Sequence, residues 1–154
     1  MTSPFAFARK PELIGEFKDW KASVFDDGKD KVCYILTQPV KKEGKYKRRG
    51  EPWFIVRDNS ITFIAGYRYR PKCDLSKDQK CQVEVSIDNN KFMFYTHKDQ
   101  AIAYEDNYKK LIAYLRKGKD LQIIGYSQRG TKTTDTFSLF GFTAAYKKMR
   151  STCK

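Results

Sequence analysis

The chain has 154 residues and carries 31 Lys and Arg against 18 Asp and Glu, a formal charge of +13 at pH 7. That length suits one domain, and a hydrophobic content of 40% supports a packed core rather than wholesale disorder. No apolar run approaches the ~18–20 residues of a membrane-spanning helix, and the single histidine, His97, excludes a histidine-rich metal site or a two-histidine mechanism within one chain.

Residues 3–8 read Ser-Pro-Phe-Ala-Phe-Ala and end in the Ala-x-Ala pattern of a signal-peptidase site, with Arg9-Lys10 behind it. No charged n-region or full apolar h-region precedes the pattern. Residues 1–10 are therefore expected to be the remnant of a signal peptide and a flexible N-terminus, and 11–154 a single domain. An ordinary flexible N-terminus that happens to hold two alanines is the plainer alternative.

From there the hydrophobic period is mostly two. Trp20, Ala22 and Val24 alternate with Lys21, Ser23 and Phe25, Asp26-Asp27-Gly28 turns the chain, and Val32 to Thr37 completes a hairpin. Phe54 and Val56 alternate with Ile55 and Arg57, and Asp58-Asn59 leads into a strand over 61–65. Val83, Val85 and Ile87 form a half-buried strand, followed by an Asn89-Asn90 turn and a strand over 91–95. Leu121 and Ile123, then Phe137 and Leu139, mark two later strands joined through Arg129-Gly130-Thr131. Short strands between polar turns predict a mainly β chain, a sandwich or barrel.

Two segments depart from that period. Tyr108, Leu111, Ile112 and Leu115 recur at helical spacing and predict a helix over about 106–117, with Gly118 as its C-terminal cap. Phe142, Ala145, Tyr146 and Met149 predict a short C-terminal helix over about 142–152. Cys153 lies 11 positions after Phe142, close to three turns, so it falls on that apolar stripe, where Cys33 on an early strand can meet it.

Cys33, Cys73, Cys81 and Cys153 contain no Cys-x-x-Cys pair, so the usual structural-zinc spacing is missing. Four cysteines allow three disulfide pairings. Cys73 and Cys81 flank a polar excursion, and a bridge there is worth about 2.5 kcal/mol. Cys33 and Cys153 remain, and their long loop is worth about 5 kcal/mol on the same scale. Four reduced thiols in a cytosolic protein is the competing reading.

The strongest charge feature is the stretch Lys41-Lys42-Glu43-Gly44-Lys45-Tyr46-Lys47-Arg48-Arg49, joined by Arg68, Arg70 and Lys72 near Tyr67 and Tyr69. Basic residues interleaved with rings can track phosphates while bases stack; a solvated lysine-rich loop is the plainer account. The hydroxyl-rich stretch 129–136 lacks the glycines and the Gly-Lys-Ser/Thr of a phosphate loop. A threonine nucleophile there would have only His97 as a base. An enzyme would need a pocket around His97 or Asp135, and none is expected; no cofactor or metal is called for.

The residues 13–22 (Leu-Ile-Gly-Glu-Phe-Lys-Asp-Trp-Lys-Ala), Lys31-Val32-Cys33-Tyr34, Gln38-Pro39 and 44–50 are similar to the opening of the invasion-associated locus B family. The resemblance resumes at Ala65-Gly66-Tyr67 and is clearest over 127–147, with Arg129, Gly130, Thr131, Thr134, Asp135, Gly141 and Phe142 as its motif beside the earlier Trp20. It implies an exported alphaproteobacterial protein of the periplasm or envelope surface with an immunoglobulin-like β-sandwich. It also implies a role in host-cell invasion and no catalytic residues or cofactor. The family's recurring cysteines correspond to Cys33 and Cys153, whereas the Cys73–Cys81 insert is a departure. The expected function is a non-enzymatic exported protein that binds an unidentified protein or an anionic envelope or host-surface component. A basic nucleic-acid or polyanion-binding module using the 41–49 loop is the alternative, with nucleic acid the less favoured partner.

Overall fold

The computed structural model describes residues 10–70 and 82–153. The Ala-x-Ala stretch, Lys72, Cys73, Cys81 and the bridge expected between the two cysteines lie outside the described residues. Among the described residues eleven strands run in chain order: β1 (Glu12–Phe17), β2 (Trp20–Asp26), β3 (Lys31–Thr37), β4 (Lys41–Glu43), β5 (Trp53–Arg57), β6 (Ile61–Ile64), β7 (Val83–Ile87), β8 (Asn90–His97), β9 (Gln100–Ala103), β10 (Asp120–Tyr126) and β11 (Lys132–Ser138). A 3₁₀ turn, Glu105–Asn107, leads into helix α1 (Tyr108–Lys117), and helix α2 (Phe142–Thr152) follows β11. Among the described residues the chain is thus mainly β with two short helices, as its periodicity predicts.

All strand pairs are antiparallel and form one ladder in the order β1-β2-β3-β5-β6-β9-β8-β7-β10-β11-β4. The sheet folds over on itself. Five strands separate β11 from β5 in that order, yet the Phe137 ring of β11 lies 5.7 Å from Phe54 of β5 and 5.8 Å from Phe63 of β6. Trp20 Nε1 also donates to the Ser138 carbonyl at 3.0 Å. The alternation read from the sequence supplies this interior: Ile35, Phe54, Val56, Ile61, Phe63, Val83, Val85, Ile87, Leu121, Ile123 and Phe137 are all buried. Each contributes about 1.5–3 kcal/mol by leaving water.

Helix α2 covers β1, β2 and β3 with Phe142, Ala145, Tyr146 and Met149 buried at i, i+3, i+4 and i+7. Its start requires Gly141: the backbone has φ +97°, and a Cβ there would lie 1.8 Å from the Phe17 carbonyl oxygen. Helix α1 buries Leu111, Ile112 and Leu115 and ends where Gly118 donates its N–H to Tyr114 O at 2.8 Å. The turn expected at Asn89-Asn90 sits one residue earlier. Asp88 and Asn89 carry the positive φ angles, 45° and 73°, because the Asp88 carboxylate accepts the N–H groups of Lys119 and Asp120 at 2.9 and 3.1 Å.

Candidate functional site

Along β11, residues 133, 135 and 137 point inward, which places a carboxylate in the interior: Asp135 is fully buried. Its partner is Arg49. The guanidinium grips both carboxylate oxygens, Nη1 to Oδ1 at 2.8 Å and Nη2 to Oδ2 at 2.7 Å, while Nε donates to the Ala65 carbonyl at 2.8 Å. The same cation lies 5.2 Å from the Tyr67 ring centre. Burial lowers the Arg49 pKa, but the hydrogen bond and charge of Asp135 outweigh it and leave the pKa raised. Arg49 was expected among the solvated binding cations; it belongs instead to this internal pair, because an inward carboxylate needs a charge partner.

Aromatic hydroxyls surround the pair. Tyr67 OH and Thr133 Oγ1 share a hydrogen bond at 2.7 Å, and the Tyr69 hydroxyl is buried without a hydrogen-bond partner among the described residues. Burial raises the pKa of Tyr67, the Thr133 bond partly opposing it, and burial raises that of Tyr69 well above the ordinary phenol value. Tyr108, half-buried beside the Tyr146 hydroxyl and donating to the Arg57 carbonyl, is raised as well. These groups stay protonated when folded, whereas in the unfolded chain they release protons near pH 10. Stability is therefore expected to be intact below about pH 10 and to fall above it, by up to about 2.7 kcal/mol per pH unit from Tyr67 and Tyr69 alone. Tyrosinate absorbance during alkaline titration should show these rings ionising only as the circular dichroism signal is lost. Ionisation of all 10 tyrosines together in the folded protein would contradict the burial.

The pair also places the basic loop. Gly50 N–H donates to Gly66 O at 2.9 Å, which with the Arg49–Ala65 bond clamps residues 44–50 onto residues 65–70. Arg68 O accepts the Gln128 N–H and Lys98 O accepts the Tyr69 N–H, both at 2.8 Å. A Cβ on Gly44 would lie 2.7 Å from Lys132 O, so the loop also abuts β11. Four chain segments thus meet on one rim, with Lys45, Lys47, Arg48, Arg68, Arg70, Lys98, Arg129 and Lys132 exposed. Asp99 is the one carboxylate in segments 44–50, 65–70, 98–99 and 127–132, all of which are described. Lys41 and Lys42 stand apart on β4, and Lys41 pairs with Glu43 at 3.7 Å.

The sequence singles out part of this rim, the 45–48 and 68–70 cations, and misses Lys98 and Lys132, which reach it through contacts between distant segments. The rings read as stacking platforms are occupied. Tyr46 stacks on Tyr67 at 5.2 Å and 17°, and Tyr67 meets Tyr69 edge-on.

Among the motif residues, Trp20 is fully buried and meets Phe54 and Phe142 edge-on. Ser127 Oγ accepts the N–H groups of Arg129 and Thr131, and Gly130 takes φ +89° in that turn. Thr134 pairs with Glu43 of β4 and Ile124 of β10. Gly141 and Phe142 start α2. Such an assignment of nearly every motif residue to a tight contact is what a fold-defining signature requires. A family model described as "Invasion associated locus B (IalB) protein" matches residues 20–150. The chain belongs to the IalB family. The matched region runs from the first residue of β2 into α2, so Trp20 and Phe142, which touch, lie near its two ends. No curated protein and no solved structure matches the chain.

In this IalB-family chain Cys33 on β3 and Cys153, just after α2, are bonded through their sulfurs, with Cα atoms 5.9 Å apart. Cys33 is buried and Cys153 half-buried. Beside the bridge an open groove of about 1170 Å³ runs between α1, α2 and the β5–β6 turn, where Arg150 pairs with Asp58. His97 is exposed at the end of β8, and no group of three or more His, Cys, Asp or Glu able to hold a metal occurs among the described residues. Among the described residues no helix is long and apolar enough to cross a membrane.

Proposed function

We propose that this chain is an exported, non-enzymatic protein of the periplasm or envelope surface that acts by holding a partner, with a role in host-cell interaction or invasion. The observation that carries the reading is the Cys33–Cys153 bridge in a chain of the IalB family. Disulfides persist in oxidising compartments and are rare where glutathione keeps thiols reduced. The interior carboxylate supports a binding role rather than catalysis, since both oxygens of Asp135 are engaged by Arg49.

Thiol trapping in fractionated cells of the native bacterium tests it. The linked peptide containing Cys33 and Cys153 is expected in the periplasmic or envelope fraction, and reduced protein confined to the cytosol would overturn the proposal. A deletion strain complemented with His97→Ala should match the wild type in host-cell attachment and entry, because no step depends on an acid or base at that position.

A further inference from the structure

We infer that the rim carrying Lys45, Lys47, Arg48, Arg68, Arg129 and Lys132 is a docking surface for a sulfated or phosphorylated polysaccharide. This inference deepens the proposed function and rests on the reading of the chain as an exported binding protein.

The rim differs from the rest of the surface in how few carboxylates stand among its cations. The β2–β3 turn carries Asp26, Asp27 and Asp30, the β5–β6 turn carries Asp58, and the 3₁₀ turn carries Glu105 and Asp106. Asp58 shares one groove with Asp30 and another with Glu105 and Asp106. Those grooves also hold Lys31, Arg57, Lys109, Arg116, Lys147 and Arg150, so their charge is mixed, whereas the four basic segments meet with Asp99 as their one carboxylate. The six rim cations form no ion pair among the described residues, so their charge faces solvent. A rim so rich in cations attracts a polyanion over about a Debye length.

Three features select the partner. A small free anion needs a concave cradle of donors, but Ser127 Oγ takes the Arg129 and Thr131 N–H groups that would supply one in the β10–β11 turn. Cations spread over separate turns instead suit a polymer with spaced charges. Single-stranded nucleic acid needs open rings for its bases, and Tyr46, Tyr67 and Tyr69 are packed against one another beneath the rim. A bilayer needs an apolar wedge beside the cations, and the exposed large apolar residues Leu13, Val40, Tyr95, Tyr104 and Phe140 lie outside the rim segments. A sulfated or phosphorylated sugar chain asks only for charge and for planar forks, and Arg48, Arg68 and Arg129 supply the forks. The Arg49–Asp135 clamp preorganises the loop, which lowers the ordering cost of binding. Arg49 is thus a positioning residue, and Arg129 is the motif residue that turns outward.

The test compares two charge-matched variants of the full chain. One carries Gln at Lys45, Lys47, Arg48, Arg68, Arg129 and Lys132. The other carries Gln at Lys29, Lys109, Lys117, Lys119, Lys147 and Lys148, exposed cations of the helices and the turns beside them. Affinities at physiological salt are measured for a size-defined heparin oligosaccharide, its desulfated form, duplex DNA of equal charge and phosphatidylglycerol vesicles. Thermal melts confirm that both variants fold.

Wild type is expected to bind heparin, to lose it on desulfation, and to bind DNA and vesicles at least tenfold more weakly. The rim variant should lose at least tenfold in affinity and the helix variant less than threefold. Equal losses would reduce the effect to net charge and overturn the proposal. So would absent heparin binding, or tighter binding of DNA or vesicles. Location and thiol state in cells are read separately, so export can hold while this surface fails, and the reverse.

Discussion

Replacing Cys33 and Cys153 together with serine is expected to lower the unfolding free energy by about 5 kcal/mol. The bridge spans 120 positions, and in the chain-entropy treatment a loop of that length restricts the unfolded ensemble by about this amount. Set against the ~5–15 kcal/mol of a typical domain, the loss is large. At about 2–4 °C per kcal/mol for a chain of this size, the melting temperature should fall by roughly 10–20 °C. Because the cross-link acts mostly on the unfolded chain, the denaturant m-value should rise as that chain expands.

The native helix should survive the change. Phe142, Ala145, Tyr146 and Met149 remain buried without the bridge, so fraying should be confined to the turn before Cys153, visible as faster amide exchange over 150–152. The double variant is the informative one, since a single serine leaves a thiol free to mispair. A loss below about 1 kcal/mol would mean that the unfolded chain is already held compact.

How far the sequence foretells this architecture varies by element. Strands whose inward residues are all apolar, β5 and β7 above all, announce themselves, and so do both helical stripes; the Cys33–Cys153 pairing is one of three that four cysteines allow, and the family resemblance is what favours it. Three strands do not. β4 is three residues long with every side chain exposed, so it has no periodicity to read, and it exists because β11 offers an open edge. β1 is interrupted at Gly15, where its register shifts, and β9 presents only two buried alanines, Ala101 and Ala103, as its apolar face.

The rim is half legible for a related reason. Runs such as 45–49 are visible in one dimension, whereas Lys98 and Arg129 join them only through the hydrogen bonds of Tyr69 and Gln128. The buried pair had a usable signal. Phe137 and Leu139 face inward, so the alternation continues back to Asp135 and Thr133, and an interior carboxylate demands a cation. Its partner, 86 positions away, has no such signature, and Arg49 reads as one more charge in a basic run.

That misreading leads to the second large effect. Arg49→Met is expected to cost about 3–5 kcal/mol, because it leaves the Asp135 charge buried and unpaired. The loss should depend on pH. Without its partner the Asp135 carboxyl is held in a dry site, which raises its pKa above the ~3.9 of an unfolded aspartate. The folded variant then takes up a proton more readily than the unfolded chain, so its deficit is largest at neutral pH and shrinks as pH falls through the raised value. The double variant Arg49→Met, Asp135→Val should recover most of the stability at neutral pH, since a buried ion pair and its apolar replacement are often close in free energy. Denaturant unfolding of the four proteins of this cycle, at neutral and acid pH, yields the coupling directly. Additive losses with no pH dependence would mean that the two side chains act independently. Recovery of stability need not restore the rim. With the Arg49 fork gone, the bond to Ala65 goes too, and residues 45–48 lose the side-chain anchor that presents their charges. The double variant should therefore be stable yet weaker in heparin affinity, which separates the work of holding the fold from that of aiming the loop.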